Sequence, residues 1–338
     1  MTLCHSCAVK RLGVLVALAL GLAVSGAQAA PATFPTHVYA PYFETWTTDN
    51  LTTTAQQSGA RYFTLAFLET TSKTSCTLAW NGNRNDPVSN ERYLSDGDIA
   101  SLRNLGGDVI PSFGGWSADQ AGTEIADSCK DVKTIAAAYE DVISRYGVTR
   151  LDMDVEGRSL NRTDGIDRRN KALALVQEWA ATQKRPFQVS YTLPTSASGL
   201  EPTGVAILQN AIANGTRVDV VNIMAFDYYD KVTTDMGTAA INAATGTAAQ
   251  LQRLGLNAQI GITLMPGLDD YPKKTEKTTL AHAQQVLNYA SSSGLNTLSI
   301  WAIQRDNGGC PGVTGSNSCS GIMQNTWDFS HMLQPFTG

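Results

Sequence analysis

Three carboxylates sit two residues apart in the segment Val148–Gly157: Asp152, Asp154 and Glu156, alternating with Leu151, Met153 and Val155. In an extended strand such a run puts all three acids on one face, neighbours roughly 7 Å apart, and the apolar residues on the other. Three anions on one face repel each other. On a wet face water screens them; on an enclosed face at least one carboxyl keeps its proton and its pKa rises. The first case is an amphipathic surface strand. The second is an acid held ready for proton transfer near neutral pH. The elements around the run decide between them.

Those elements alternate. Short β-branched or aromatic runs, typical of strands, occur at 37–42, 62–68, 108–113, 148–155, 187–193, 218–225, 259–264 and 297–302. Stretches with helical spacing fall between them, at 98–105, 132–146, 169–182, 204–213, 238–254 and 280–293. Gly147, Gly255 and Gly294 follow three of these stretches, where a left-handed cap ends a helix. Repeated β-then-α order implies a parallel sheet covered by helices. Eight strands so spaced predict an α/β protein built as a single (β/α)8 TIM barrel rather than an open doubly wound sheet. No Gly-x-Gly-x-x-Gly follows the first strand, so dinucleotide binding has no support. The fourth strand of such a barrel has no solvent face: Leu151, Met153 and Val155 pack under helices and the acids look inward. Glu156 then emerges at the C-terminal face, where barrel enzymes place their chemistry.

The chain has 338 residues, 43% hydrophobic and 16% charged, in keeping with a globular protein with a large core. Lys10 and Arg11, the apolar run Leu12–Val24 and the small residues Ala27 and Ala29 read as a secretory leader over residues 1–29, leaving a domain at 30–338. The run is shorter than the about 20 apolar residues a bilayer span needs, so the expectation is an extracellular protein with no membrane partner after cleavage. Loss of Lys10 and Arg11 takes the net charge from −5 to −7, which argues against nucleic acid and leaves a neutral polysaccharide open. Beyond the leader remain Cys76, Cys129, Cys310 and Cys319. In an exported chain they read as two disulfides. The close pair Cys310 and Cys319 would close its own loop and leave Cys76 to Cys129. Zinc is the rival, but no histidine lies near either pair.

Four strand-end motifs then make the chain resemble glycoside hydrolase family 18, the chitinases and their relatives. Asp152, Asp154 and Glu156 match the last three acids of that family's Asp-x-x-Asp-x-Asp-x-Glu. Ser112-Phe113-Gly114-Gly115 matches its Ser-x-Gly-Gly, Met224-Ala225-Phe226-Asp227 its Met-x-Tyr-Asp, and Trp301 its last-strand tryptophan. The wording around Tyr42, Leu65–Phe67 and Tyr191–Pro194 is similar to the subgroup shared by bacterial and some archaeal chitinases. Two positions depart from the pattern. Thr149 stands where the signature has its first Asp, and Phe226 where relatives carry a tyrosine whose hydroxyl bonds the acetamido oxygen; Tyr228, and after it Tyr191, are candidates to supply that hydroxyl.

The resemblance implies a secreted chitinase, monomeric, with chitin or chitooligosaccharides as its partner and no metal or organic cofactor. It implies Glu156 as general acid, Asp154 at the acetamido N–H, Asp152 sharing a proton with Asp154, and the 2-acetamido oxygen of the sugar as nucleophile, with net retention. The two Asp residues would titrate as a pair. Trp301 would floor the cleavage site, with Asp227 orienting the substrate and Met224, Tyr42 and Trp116 lining the cleft. A nucleophilic carboxylate would instead come from another strand about 5 Å away, with Asp227, Asp230 and Asp306 as donors. Gly114 and Gly115 read equally as a tight strand exit or a close sugar approach, and Trp46, Trp80 and Trp116 as sugar platforms or loop packing. His282 reads as structural. Only a short segment follows Leu264 before the next helix, which implies an open cleft and internal cuts. The alternatives are an endo-β-N-acetylglucosaminidase on N-glycans and a non-catalytic chitin-binding lectin on the same barrel.

Overall fold

The computed structural model describes residues 1–2, 34–89, 98–272 and 274–338, so most of the expected leader lies outside the described residues. The chain divides into Met1–Ala30 and Pro31–Gly338, and all that follows concerns the second unit. Its eight strand runs form one parallel sheet: β1 in two pieces, Val38–Tyr39 and Tyr42–Glu44, then β2 (Tyr62–Thr70), β3 (Asp108–Gly114) and β4 (Arg150–Asp154). After these come β5 (Gln188–Ser196), β6 (Val220–Met224), β7 (Gln259–Leu264) and β8 (Thr297–Ile300). The first piece of β1 pairs with β8, Val38 opposite Thr297, and the second with β2, Tyr42 opposite Thr64. The break in β1 thus lets one segment serve both neighbours and closes the (β/α)8 barrel.

Around it lie α1 (Leu51–Ser58), α2 (Asp98–Asn104), α3 (Trp116–Ala121), α4 (Ile125–Ser128), α5 (Val132–Tyr146) and α6 (Thr163–Thr182). The chain continues through α7 (Pro202–Ala213), α8 (Met236–Leu254), α9 (Leu280–Ser293) and α10 (Asp328–Leu333). Gly147, Gly255 and Gly294 are left-handed caps as expected. The helix expected from Arg169 begins at Thr163 instead: Ile166 is buried there, but Asp164, Asp167 and Arg168 break the apolar period that would announce it. Helix α1 has no counterpart in the sequence expectation. Its threonines are poor helix formers, and it is set by the Asn50 cap on the Thr53 N–H and by burial of Leu51, Thr54, Ala55 and Ser58.

The period of two within the strands divides the barrel into two environments. Phe113, Leu151, Met153, Tyr191 and Val221 face outward and join one core with Ile135, Tyr139, Leu173 and Val176 of the helices. Ser112, Asp152, Thr192, Asn222 and Thr263 face the axis and bond one another across four strand boundaries. At the N-terminal mouth Arg150 is buried, held by Gln188 and Asn296, its guanidinium 4.6 Å from the Phe34 ring. Disulfides join Cys76 to Cys129 and Cys310 to Cys319. Among the described residues no helix is long and apolar enough to cross a membrane.

Candidate active site

The parallel register places Asp152 opposite Ser112 on one side and Ser190 on the other, and Asp154 opposite Gly114 and Thr192. Asp152 is the well-held acid. Ser112 donates to its Oδ2 at 2.7 Å and Thr192 to its Oδ1 at 2.8 Å. The Tyr42 hydroxyl lies 3.0 Å from Oδ2 and 2.9 Å from Thr192 Oγ1, with one proton to give to either. Burial raises the Asp152 carboxyl, and the donors from Ser112, Thr192, Ser190 and Tyr42 pull it back down. Asp154 has no such help: its Oδ1 is buried without a partner. Burial and then the charges of Glu156, Asp152 and Asp119 push its carboxyl well above the usual range. Of the two, Asp152 is therefore the better held as an anion, and Asp154 keeps its proton to higher pH. Among the described residues no hydrogen bond joins them, so they interact through charge.

Glu156 follows the last paired residue of β4 and reaches the rim half-buried. Burial lifts its carboxyl to about 7, against the lowering effect of the Trp116 backbone N–H and with a further push from Asp270. An acid at that value donates and recovers a proton near neutrality. Behind it stands Asp119 of α3, fully buried, whose carboxylate accepts the Glu156 backbone N–H.

An aromatic wall flanks these acids. Trp301 stacks on Phe67 with centroids 5.5 Å apart, meets Tyr42 edge-on at 5.5 Å and touches Trp46 at 6.3 Å. Trp46 and Trp116 are exposed; Trp80 is not, bonding Tyr146 through its indole N–H inside the core. Trp80 is therefore loop packing. Of the two roles the sequence leaves open for Gly114 and Gly115, the backbone itself requires the first, a tight strand exit. Both have positive φ, a Cβ on Gly114 would lie 2.1 Å from the Asp154 carbonyl oxygen, and one on Gly115 would enter the Phe67 ring.

At the end of β6, Asn222 points inward, so Met224, two residues on, shares its face. Asp227 accepts the Asp270 N–H at 2.9 Å, and its own N–H is held by Asp269; Glu276 holds the Tyr228 N–H at 2.7 Å. Asp269 and Glu276 come from the segment bracketed by the short strands Gly267–Leu268 and Lys277–Thr278. Carboxylate oxygens of Asp227, Asp269 and Glu276 lie within 4.8 Å of one another, near enough to share a metal ion. Protons relieve the same repulsion: burial, then Asp270 and Asp269, raise Asp227 to about 8, and burial with Asp269 raises Glu276 to about 7. The Tyr228 hydroxyl is buried without a partner beside this cluster.

Several expectations change. Tyr191 cannot serve the substrate: it lies on the outer face of β5, and its hydroxyl donates to Asn170 of α6 at 2.6 Å. Tyr42 faces the site, but its hydroxyl is engaged by Asp152 and Thr192 rather than free for sugar. Asp306 caps the start of α10 through the Phe329 and Ser330 N–H groups, and Asp230 binds its own turn at Val232 and Thr233. Neither carboxylate is left for nucleophilic attack. His282 closes the capping box of α9 with Thr279, a structural role. Sequence reasoning missed Asp119, Thr192, Asn222, Asp269, Glu276 and the buried Glu44. Thr192 and Asn222 carry a readable signal, as inward polar positions in otherwise apolar strands. Asp119 carries none, because a loop and a helical turn bring it to the strand. A separate depression of about 370 Å³, lined by Phe34, Thr149, Arg185, Phe187 and Arg217, lies by the starts of β4 and β5, away from the acids.

Comparison with known proteins bears on this arrangement. The model of the family Glycosyl hydrolases family 18 matches residues 38–279. The chain is 32% identical over 325 residues to a probable bifunctional chitinase/lysozyme of Escherichia coli, covering 90% of this chain and 35% of that protein. It is 33% identical over 291 residues to Endochitinase 11 of Metarhizium anisopliae, covering 81% of this chain and 53% of that protein. It therefore spans about a third to a half of the length of these curated relatives. The crystal structure of the catalytic domain of a hyperthermophilic chitinase from Pyrococcus furiosus superposes with a TM-score of 0.78 at 30% identity, covering 91% of this chain and 97% of that one. Catalytic-site mutants of the active domain 2 of that organism's thermostable chitinase, solved with chito-oligosaccharides, match with the same score at 29% identity.

Proposed function

The chain belongs to family 18 of the glycosyl hydrolases, and from that membership we propose that it is a chitinase cutting β-1,4 bonds between N-acetylglucosamine units. The observation that carries the proposal is the inward ladder of acids: Glu156 at the rim with a carboxyl near 7, Asp154 beneath it with an unpartnered oxygen, and Asp152 fixed by hydroxyl donors. Glu156 gives its proton to the glycosidic oxygen as the bond to the anomeric carbon breaks. The substrate's acetamido oxygen closes on that carbon, forming an oxazolinium ion. Asp154 bonds the acetamido N–H, and Asp152 takes up the change of charge next to it. Water then opens the ring, with Glu156 accepting its proton, and the configuration is retained. Trp301 supplies the apolar floor, and the unpartnered Tyr228 hydroxyl is the donor for the acetamido oxygen in place of Phe226.

Among its described residues the segment between β7 and α9 holds only the two-residue strands Gly267–Leu268 and Lys277–Thr278, and with no larger insertion there internal cuts are favoured over processive release from chain ends. The two disulfides suit an oxidising compartment, and export is part of the proposal; N-terminal sequencing of the exported protein is expected to begin at Ala30. The deciding assay pairs the protein with Glu156→Gln on a fluorogenic chitooligosaccharide, colloidal chitin and a high-mannose glycoprotein. Turnover of chitin by the parent, lost in the variant and giving the β-anomer first by NMR, is expected. Hydrolysis surviving Glu156→Gln would refute the acid assignment. Cleavage of glycoprotein alone would move the substrate to N-glycans, and binding without turnover would make the barrel a lectin.

A further inference from the structure

Beyond Asp154 the backbone of Glu156 leaves the sheet, and its N–H has no strand to pair with: Val155 makes the last ladder bond, to the Thr192 carbonyl at 3.0 Å. A single turn after β3 meets Glu156 at both ends. The Trp116 backbone N–H faces the Glu156 carboxyl closely enough to lower it, and three residues on the Asp119 carboxyl accepts the Glu156 peptide N–H. That turn is itself anchored. Gly115 donates to the Asp154 carbonyl at 3.1 Å, and the Asp119 N–H to the Gly115 carbonyl at 3.0 Å. Asp119 is fully buried and its Oδ1 has no partner, an arrangement that packing alone does not favour.

We propose that Asp119 is a positioning residue for the acid: from a turn anchored on the Asp154 carbonyl, its carboxyl holds the peptide of Glu156 from behind, so that the proton points at the scissile bond. Asp119 does not touch substrate; it acts through Glu156, and the inference rests on Glu156 being the acid. The ionisable groups that face it are Glu156 and Asp154 from β4 and its exit, Glu124 at the start of α4 and Arg169 of α6. Burial and then Glu124 push the Asp119 carboxyl up, outweighing the Glu156 N–H and Arg169. An amide in its place keeps the shape and an oxygen acceptor for the Glu156 N–H.

Three variants test this on a fluorogenic chitooligosaccharide, with kcat, KM and the pH profile measured for each. Asp119→Ala is expected to lose about 10- to 100-fold in kcat with KM changed less than about threefold, the cost of a misplaced catalytic group. Its alkaline limb moves to lower pH, because water admitted behind Glu156 relieves the burial that raises it. Asp119→Asn is expected to keep kcat within about threefold and to keep the parent limb. The inference is overturned if the alanine variant matches the parent in kcat and limb, or if the asparagine variant falls more than about tenfold; the second result decides alone should the alanine variant not fold. Glu156→Gln in the same assay separates the two claims: its retained turnover removes the acid assignment, whereas its inactivity beside an unaffected Asp119→Ala removes only the positioning role.

Discussion

Deleting one hydroxyl, Tyr42→Phe, measures how Asp152 is held. The ring stays: its packing 5.5 Å from Trp301 and 6.0 Å from Phe67 does not involve the oxygen. What is lost is one donor placed between Asp152 Oδ2 at 3.0 Å and Thr192 Oγ1 at 2.9 Å. A hydrogen bond to a charged group contributes ~1.5–3 kcal/mol. Ser112 and Thr192 keep shorter bonds to the same carboxylate, at 2.7 and 2.8 Å, so the low end applies. About 1.5 kcal/mol of charge stabilisation corresponds to about a tenfold fall in kcat, with KM unchanged because the sugar floor is intact. The pH profile gives a second readout. The Tyr42 donor is among those that pull the Asp152 carboxyl down against burial, so its loss raises that carboxyl and moves the acid limb of kcat to higher pH. Steady-state hydrolysis of a fluorogenic chitooligosaccharide across the acid and neutral range measures both. Full activity with an unmoved acid limb would refute the view that Asp152 works as a donor-stabilised anion.

Other consequences follow from the same geometry. Burial raises Glu44 and Asp227 each to about 8 in the folded protein. The folded state thus keeps protons that the unfolded chain releases, and this stability is complete below the unfolded carboxylate range and fades as pH rises toward 8. Calorimetry is expected to show Tm falling through that window, with a shallower slope in Glu44→Gln; a rising Tm would contradict it. Tyr191→Phe, by removing the hydroxyl donor to the buried Asn170 Oδ1 behind the barrel, is expected to lower stability by about 1–3 kcal/mol in urea unfolding and leave kcat untouched; a kcat loss with full stability would return Tyr191 to the site. Loop entropy ranks the disulfides: Cys76–Cys129 spans 53 residues and Cys310–Cys319 spans 9, so removing the first should cost about 4 kcal/mol and the second about 3. Equal or reversed losses in denaturant titrations of the paired serine variants would show that strain or residual structure outweighs loop length.

The alternation of strand and helix, the eight strand positions and the acids on one face of β4 were readable because they are periodic. A period of two assigns a residue to one side of a strand before any partner is known. Inward orientation then followed from topology, since a strand covered by helices has no wet side. The same logic corrects the expectation for Tyr191. It belongs to the outward set with Val189 and Leu193, and only its hydroxyl had suggested a role at the substrate. Tyr42 was placed on the correct side, but not matched to Asp152, 110 residues away in the chain.

The motifs and their period by themselves determined the barrel, the family and the inward face of the three acids, because local spacing encodes which face a side chain takes and the order of motifs encodes the winding. Tertiary structure alone decided which acid is the better held as an anion and which keeps its proton to higher pH. That division depends on hydroxyls from β1, β3 and β5 converging on Asp152 and passing Asp154 by. It also decided that Asp119 stands behind Glu156. A carboxyl's pKa and aim are set by the atoms packed around it, and those arrive from parts of the chain that no local pattern links.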